Sequence, residues 1–255
     1  MYKKGQVTIF IVVGIVILLA VASVWFLISS NETMKAEREK AQIDAARGMS
    51  SSITPYVESC LHTVAQQGTH FIATRGGHFN LPPEFFNEFP PTAFYIYNDQ
   101  KLVPTLEDVG TELSTYIDAQ LQYCLDFTSF TNYVIETESP HADTTITENT
   151  ITVTLSLPTT IQKGESTATI EKYKVSLLEN RLGTAILVAN TIVDEIVKDP
   201  EMLCFSCIFN VASSHDFDVL IDSYDQSTYL FQLQDLSEND AYIFTFAIQL
   251  EEVNA

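Results

Sequence analysis

From Val7 to Ile28 no residue carries a charge, and nearly all are Val, Ile, Leu, Ala or Phe. A helix rises about 1.5 Å per residue, so these roughly 22 residues match a hydrocarbon core about 30 Å thick. Ala20-Val21-Ala22 has the small-residue look of a secretory cleavage site. The apolar run nevertheless continues through Val24-Trp25-Phe26-Leu27-Ile28, beyond the ~7–15 residues of a secretory core. The expectation is a retained transmembrane helix over residues 7–29.

Charge sets the expected orientation. Lys3 and Lys4 precede the span, and no acid lies among the first 30 residues. Beyond it Lys35, Arg38 and Lys40 are interleaved with Glu32, Glu37 and Glu39, so the basic-residue count is not one-sided. A first span with a short tail usually inserts with that tail inside, and Trp25 and Phe26 suit the outer interface. Lys3 and Lys4 are therefore the orientation residues, with a cytoplasmic leader at 1–6 and the remainder extracellular.

All 33 Asp and Glu lie beyond the span, with 11 of the 13 Lys and Arg, a net of −22. Such a surface argues against nucleic acid and anionic lipid as partners. It suits a high-salt habitat, where ions screen self-repulsion, and it equally suits ordinary solubility.

Residues 30–52 read as a polar helical stalk, rich in good helix formers, and Gly48–Ser52 as a break. Thr54 then caps a new helix with Pro55 at its first position. Val57, Cys60, Leu61 and Val64 fall on one face of it. The Gly- and Pro-rich stretch 74–92 reads as a loop, and Phe94–Tyr97 with Lys101–Val103 as a small hairpin. Thr105-Leu106-Glu107-Asp108 is a capping-box pattern opening a helix with Val109, Leu113, Ile117 and Leu121 inward. Strands are expected over 132–137, 150–157 and 167–175. ITVTLSL at 151–157 alternates strictly, with one face buried and one wet. A strong helix follows over 177–198, and strands over 204–212, 217–223, 229–234 and 242–250. The fold class is α+β: an exported domain at 53–255, helices packed on antiparallel sheets, with a subdivision near residue 176.

Lys3-Lys4-Gly5-Gln6 immediately before the apolar helix resembles the class III signal sequence of archaeal type IV pilins and related surface proteins. The resemblance covers about the first 25 residues. It implies cleavage between Gly5 and Gln6 by a membrane peptidase of the prepilin type, leaving the hydrophobic helix on the mature chain. That helix would anchor the subunit first and could later pack into a filament core. Phe10 stands where many pilins carry Glu. A wider resemblance is to uncharacterised archaeal membrane-anchored proteins. It rests on Gly5–Phe10, Val57-Glu58-Ser59-Cys60-Leu61, Gly76-Gly77 and Cys124-Leu125, and it implies placement and architecture without an activity.

The four cysteines are Cys60, Cys124, Cys204 and Cys207. An even number outside the membrane favours disulfides, with three connectivities open. Cys60 and Cys124 lie on the apolar stripes of two helices that could pack together. For Cys204-Phe205-Ser206-Cys207, a thioredoxin-like site would need the first Cys at a helix start after a strand. Phe205, Ile208, Phe209 and Val211 look more strand-like. Zinc would need a second close pair of ligands, which is absent from the sequence. A local disulfide or two buried thiols is the preferred reading.

His62 and His70 share a rough helical face if the helix survives Gly68. No HExxH pair is present, and Asp216, Asp218, Asp222, Asp225, Asp235, Glu238 and Asp240 lack calcium-loop spacing. The sequence therefore implies no metal and no cofactor, and no nucleophile elbow or phosphate loop is visible. The expected function is a non-enzymatic, membrane-anchored surface protein of pilin-like biogenesis with a structural or adhesive role. Its partners would be the bilayer, a prepilin-type peptidase, and its own copies or other surface proteins. The alternative is an anchored ligand-binding or sensory domain, its pocket lined by Phe79, Phe85, Phe86 and Phe89.

Overall fold

The computed structural model describes residues 6–199, 203–235 and 242–250; within 6–39 it describes the backbone together with the side chains of Val16, Leu18 and Trp25. Lys3, Lys4 and Gly5 lie outside the described residues, as do Glu238 and Asp240, and Gln6 is the first within them. Most side chains of the expected span fall outside this set as well. Among the residues described, no helix is long and apolar enough to cross a membrane.

The described residues open with one helix, α1 (Gln6–Ala73), unbroken over 68 residues. The expected break at Gly48–Ser52 and the new start at Thr54 are corrected: Pro55 sits inside the helix. The reason is the stripe that runs across it. Met49, Ile53, Val57, Leu61, Val64 and Ile72 are all buried. A fully buried aliphatic side chain stabilises by about 1.5–3 kcal/mol, more than one helical Gly costs. Proline removes one helical hydrogen bond, here to the Ser51 carbonyl. Pro55 and Ser51 are both exposed, so water can satisfy that group.

Two short strands and a hairpin follow: β1 (Phe85–Phe86), β2 (Thr92–Tyr97) and β3 (Gln100–Lys101). Asn98 and Asp99 both adopt positive φ between β2 and β3, the backbone that a two-residue hairpin turn requires. The helix α2 (Leu106–Cys124) carries the expected capping box between Thr105 and Asp108. Then come β4 (Val134–Thr137), β5 (His141–Ile146), β6 (Thr150–Lys163) and β7 (Ser166–Leu178). The second half holds α3 (Leu182–Lys198), α4 (Phe205–Ser213), β8 (Asp218–Ser223), β9 (Thr228–Asp235) and β10 (Tyr242–Gln249).

The architecture is α+β with two sheets. In one, β6 is central. It pairs antiparallel with β7 on one side and with β4 and β5 in turn on the other. Its alternation of half-buried and buried residues runs from Thr150 to Ile161, as the period of two demands. The other sheet runs β1-β2-β10-β9-β8, with β3 beside β2. Among the described residues its only parallel pair is β2 with β10, which joins chain segments far apart in sequence. Thr92 Oγ1 donates to the Thr245 carbonyl across that pair at 2.9 Å. The C-terminal part of α1 contacts β7 and β6 of one sheet and β10 of the other. Residues from both halves of the chain therefore share one hydrophobic core.

Two further expectations are corrected. α3 starts at Leu182, five residues later than the pattern suggested, because Leu177 and Leu178 complete the ladder of β7 against Ile151 and Thr150. Residues 204–212 form not a strand but the helix α4. Ile208 and Ala212, four apart, are its buried face.

Candidate functional site

Polar or reactive side chains come together at several places among the described residues, the cavity of Asp118, His141 and Lys172 among them. The first is a cleft of about 310 Å³ between α1, the β7–α3 connection and the end of β9. His62, Gln66 and His70 line one wall. They repeat every four residues, so they share a face, and α1 does survive Gly68. The opposite wall holds Glu179, Asn180, Arg181, Asp235 and Tyr242. Arg181 Nε lies 2.5 Å from Asp235 Oδ2, an ion pair without the alignment of a hydrogen bond. Its guanidinium also covers the Phe217 ring at 4.3 Å and donates from a terminal nitrogen to the His215 carbonyl at 2.6 Å. The Tyr242 ring stands 5.3 Å from that of His70. Its hydroxyl is buried, with no hydrogen-bond partner among the described residues. Burial pushes this phenol far up, and Arg181 offsets part of that rise.

The second place is the start of α4. Cys204 and Cys207 are joined by a disulfide, and Cys204 is the N-cap of the helix. The backbone N–H of Cys207 donates to Cys204 Sγ at 3.3 Å. Cys204 is exposed and Cys207 half-buried. Phe205 and Phe209 are 49% and 48% exposed. Of the two readings offered for the pair, the local disulfide is the one present, not two buried thiols. A helix start, one condition for a thioredoxin-like site, is met; the preceding strand is not, since α4 follows α3. The signal was present in Phe205, Ile208, Phe209 and Ala212, which fall at i, i+3, i+4 and i+7. Aromatic and β-branched composition obscured it.

Cys60 and Cys124 form the other disulfide, linking α1 to the end of α2 as their matched apolar faces suggested. No free cysteine remains.

The four phenylalanines proposed to line a pocket are dispersed. Phe79 packs edge-on against Phe71 and Tyr116 at the rim of the main core. Phe86 belongs to a separate small cluster with Phe94, Leu230 and Ala247. Phe85 is half-buried beside it, and Phe89 is 94% exposed. The loop is held by Glu112, whose carboxylate accepts the N–H groups of Phe79 and Asn80 at 2.9 Å.

Of the acidic cluster, Asp225 accepts from Ser227 and Thr228 in the β8–β9 turn. These hydrogen bonds, the backbone N–H of Ser227 first, hold its carboxyl below the usual range. Asp235 faces Arg181. Among the described residues no group of three His, Cys, Asp or Glu could hold a metal. Comparison with family models, with curated proteins and with solved structures finds no match for the chain.

Proposed function

We propose that this chain is a membrane-anchored surface protein of pilin-like biogenesis, inserted through Val7–Ile28 with Lys3 and Lys4 inside, whose acidic head has a structural or adhesive role. One observation carries the reading. The helix that begins at Gln6 continues without interruption into the core of the head, where Met49 to Ala73 supply its buried stripe. At about 1.5 Å per residue the part before Met49 extends roughly 65 Å, so an anchor and a distant head share one rigid element. The large apolar side chains described within residues 6–39, Val16, Leu18 and Trp25, are 59%, 70% and 74% exposed. Lipid or the same helix of a neighbouring copy would cover them.

Mass spectrometry of the mature N-terminus from native membranes tests processing, with a start at Gln6 expected. An intact Met1, or a start at Ser23, refutes it. Electron microscopy tests assembly: filaments support a structural subunit, and isolated heads on the membrane remove it.

The cleft favours a second reading, a ligand-binding head. Tyr242, whose buried hydroxyl has no hydrogen-bond partner among the described residues, lines it beside Arg181 and the two histidines, a setting for a small molecule bearing a carboxylate or phosphate. Titration of the full chain with acetate and inorganic phosphate, followed by the ring resonances of His62 and His70, tests it. Unmoved resonances at saturating anion would dismiss it.

A further inference from the structure

The two disulfides differ in what they hold. Cys60, 4% exposed, joins two core helices across a separation of 64 residues. Cys204 and Cys207 are three residues apart, so their bond restrains far less of the unfolded chain. α4 meets the core through Ile208 and Ala212, not through this pair. What the bond has instead is access and a stabilised leaving group. Cys204 is exposed, and its Sγ accepts the Cys207 N–H at the N-terminus of α4. A thiolate there is favoured by the free N–H groups of the first turn. Cys207 is set back, half-buried, within reach of any bond made to Cys204.

We infer that Cys204–Cys207 is a thiol–disulfide exchange site that oxidises cysteine pairs in extended polypeptide segments. A substrate thiolate attacks Cys204 Sγ. The Cys204–Cys207 bond breaks, and its electron pair leaves on Cys207 Sγ, which takes a proton from water. The second substrate thiolate then attacks the substrate sulfur of the mixed disulfide, and Cys204 departs as a thiolate at the helix N-terminus. The substrate loses two electrons and two protons and gains a disulfide; the protein disulfide becomes a dithiol. A small-molecule disulfide, reduced to two thiols, restores the site.

The surroundings select the substrate. Phe205 adjoins Cys204, and Phe209 lies one turn further on the same face. Both are half exposed, an apolar platform for residues flanking a substrate cysteine. The chain's net charge of −20 favours basic segments. This chemistry resides in α4 and is independent of the membrane anchor.

The test uses the full chain in detergent, oxidised, with a reduced synthetic peptide whose two cysteines are flanked by phenylalanine and lysine. Expected is one equivalent of peptide disulfide per chain, formed roughly tenfold faster than by oxidised glutathione at equal concentration. Excess oxidised glutathione should then sustain repeated turnover. With the oxidised peptide, Cys207→Ser should accumulate a mixed disulfide at Cys204, and Cys204→Ser should not. Joint Phe205→Ser and Phe209→Ser should slow the peptide while sparing exchange with dithiothreitol. A wild-type rate no greater than that of glutathione overturns the assignment. So does an equally abundant mixed disulfide in Cys204→Ser. If a variant fails to fold, the wild-type rate decides alone.

Discussion

The Tyr56 hydroxyl makes a two-way hydrogen bond with the backbone of Asp126, donating to its carbonyl at 2.8 Å and accepting its N–H at 2.7 Å. It ties α1 to the segment that leaves α2, one turn along from the Cys60–Cys124 bond. Phe127 and Phe130 pack edge-on against the same ring, with centroids 5.7 and 5.2 Å away. Tyr56→Phe keeps those ring contacts and deletes these hydrogen bonds together with a longer one to the Cys124 carbonyl at 3.3 Å. The site is partly open to water, so the loss should be about 1 kcal/mol. Urea unfolding would measure it, and a wild-type midpoint would mean that water replaces the hydroxyl at no cost.

Two glycines are fixed by close backbone approach. A Cβ on Gly183 would stand 2.0 Å from the Thr147 carbonyl oxygen, and one on Gly110 would stand 2.7 Å from that of Thr144. The first is where α3 docks on the β5–β6 turn, the second where α2 lies on β5. Neither obstacle is a side chain that can turn away. Gly110→Ala should cost about 2–3 kcal/mol and Gly183→Ala more, since overpacking against backbone moves whole elements. Thermal unfolding of both variants checks the order.

Gly48 makes the opposite case. It is exposed, helical, and has nothing within 4 Å of a Cβ position. Gly48→Ala should therefore stabilise α1 by about 0.5–1 kcal/mol. The same residue shows where local reading stops. Gly48 and Pro55 mark a break by local propensity, and the buried run from Met49 to Ile72 overrides them. The capping box at Thr105, the Asn98-Asp99 turn and the alternation of β6 were legible, because each signal is local and strong. β5 was not, since Ala142 and Ile146 are its only buried residues. Its existence depends on the pairing with β6. Cys60 and Cys124 could be matched from their helix faces. The cleft could not be foreseen: Arg181, Asp235 and Tyr242 meet His62 and His70 only through the packing of α1 between two sheets.

Removing the Cys60–Cys124 bond should cost about 4 kcal/mol in the chain-entropy account, given a separation of 64 residues. Joint Cys60→Ser and Cys124→Ser isolates this bond from Cys204–Cys207. Non-reducing peptide mapping of the wild type should recover Cys60 and Cys124 only as a linked pair, and either one alkylated in native oxidised protein would contradict the pairing.

The pH dependence of stability should have two limbs with distinct owners. Burial, the largest influence on His78, lowers its pKa, although Glu112 and Asp108 pull the other way and Arg75 adds to the lowering. A base with a depressed folded pKa contributes stability above its unfolded value, about 6.5, and loses it as pH falls towards the folded value. Asp108 is also held low, first by the Thr105 hydroxyl and then by the Thr105 N–H. Its contribution is complete above the unfolded aspartate value near 3.9 and fades as pH falls through the depressed one. Asp118 acts in reverse. Desolvation raises its pKa against the N–H of Ala142 and against His141, so its protonation favours the folded state as the medium acidifies. The urea midpoint of the full chain should thus decline first as pH falls below about 6.5, then again as it falls below about 4. His78→Gln should flatten the upper limb, Asp108→Asn should flatten the lower, and Asp118→Asn should steepen the lower. An upper limb unchanged in His78→Gln would place that titration on another group.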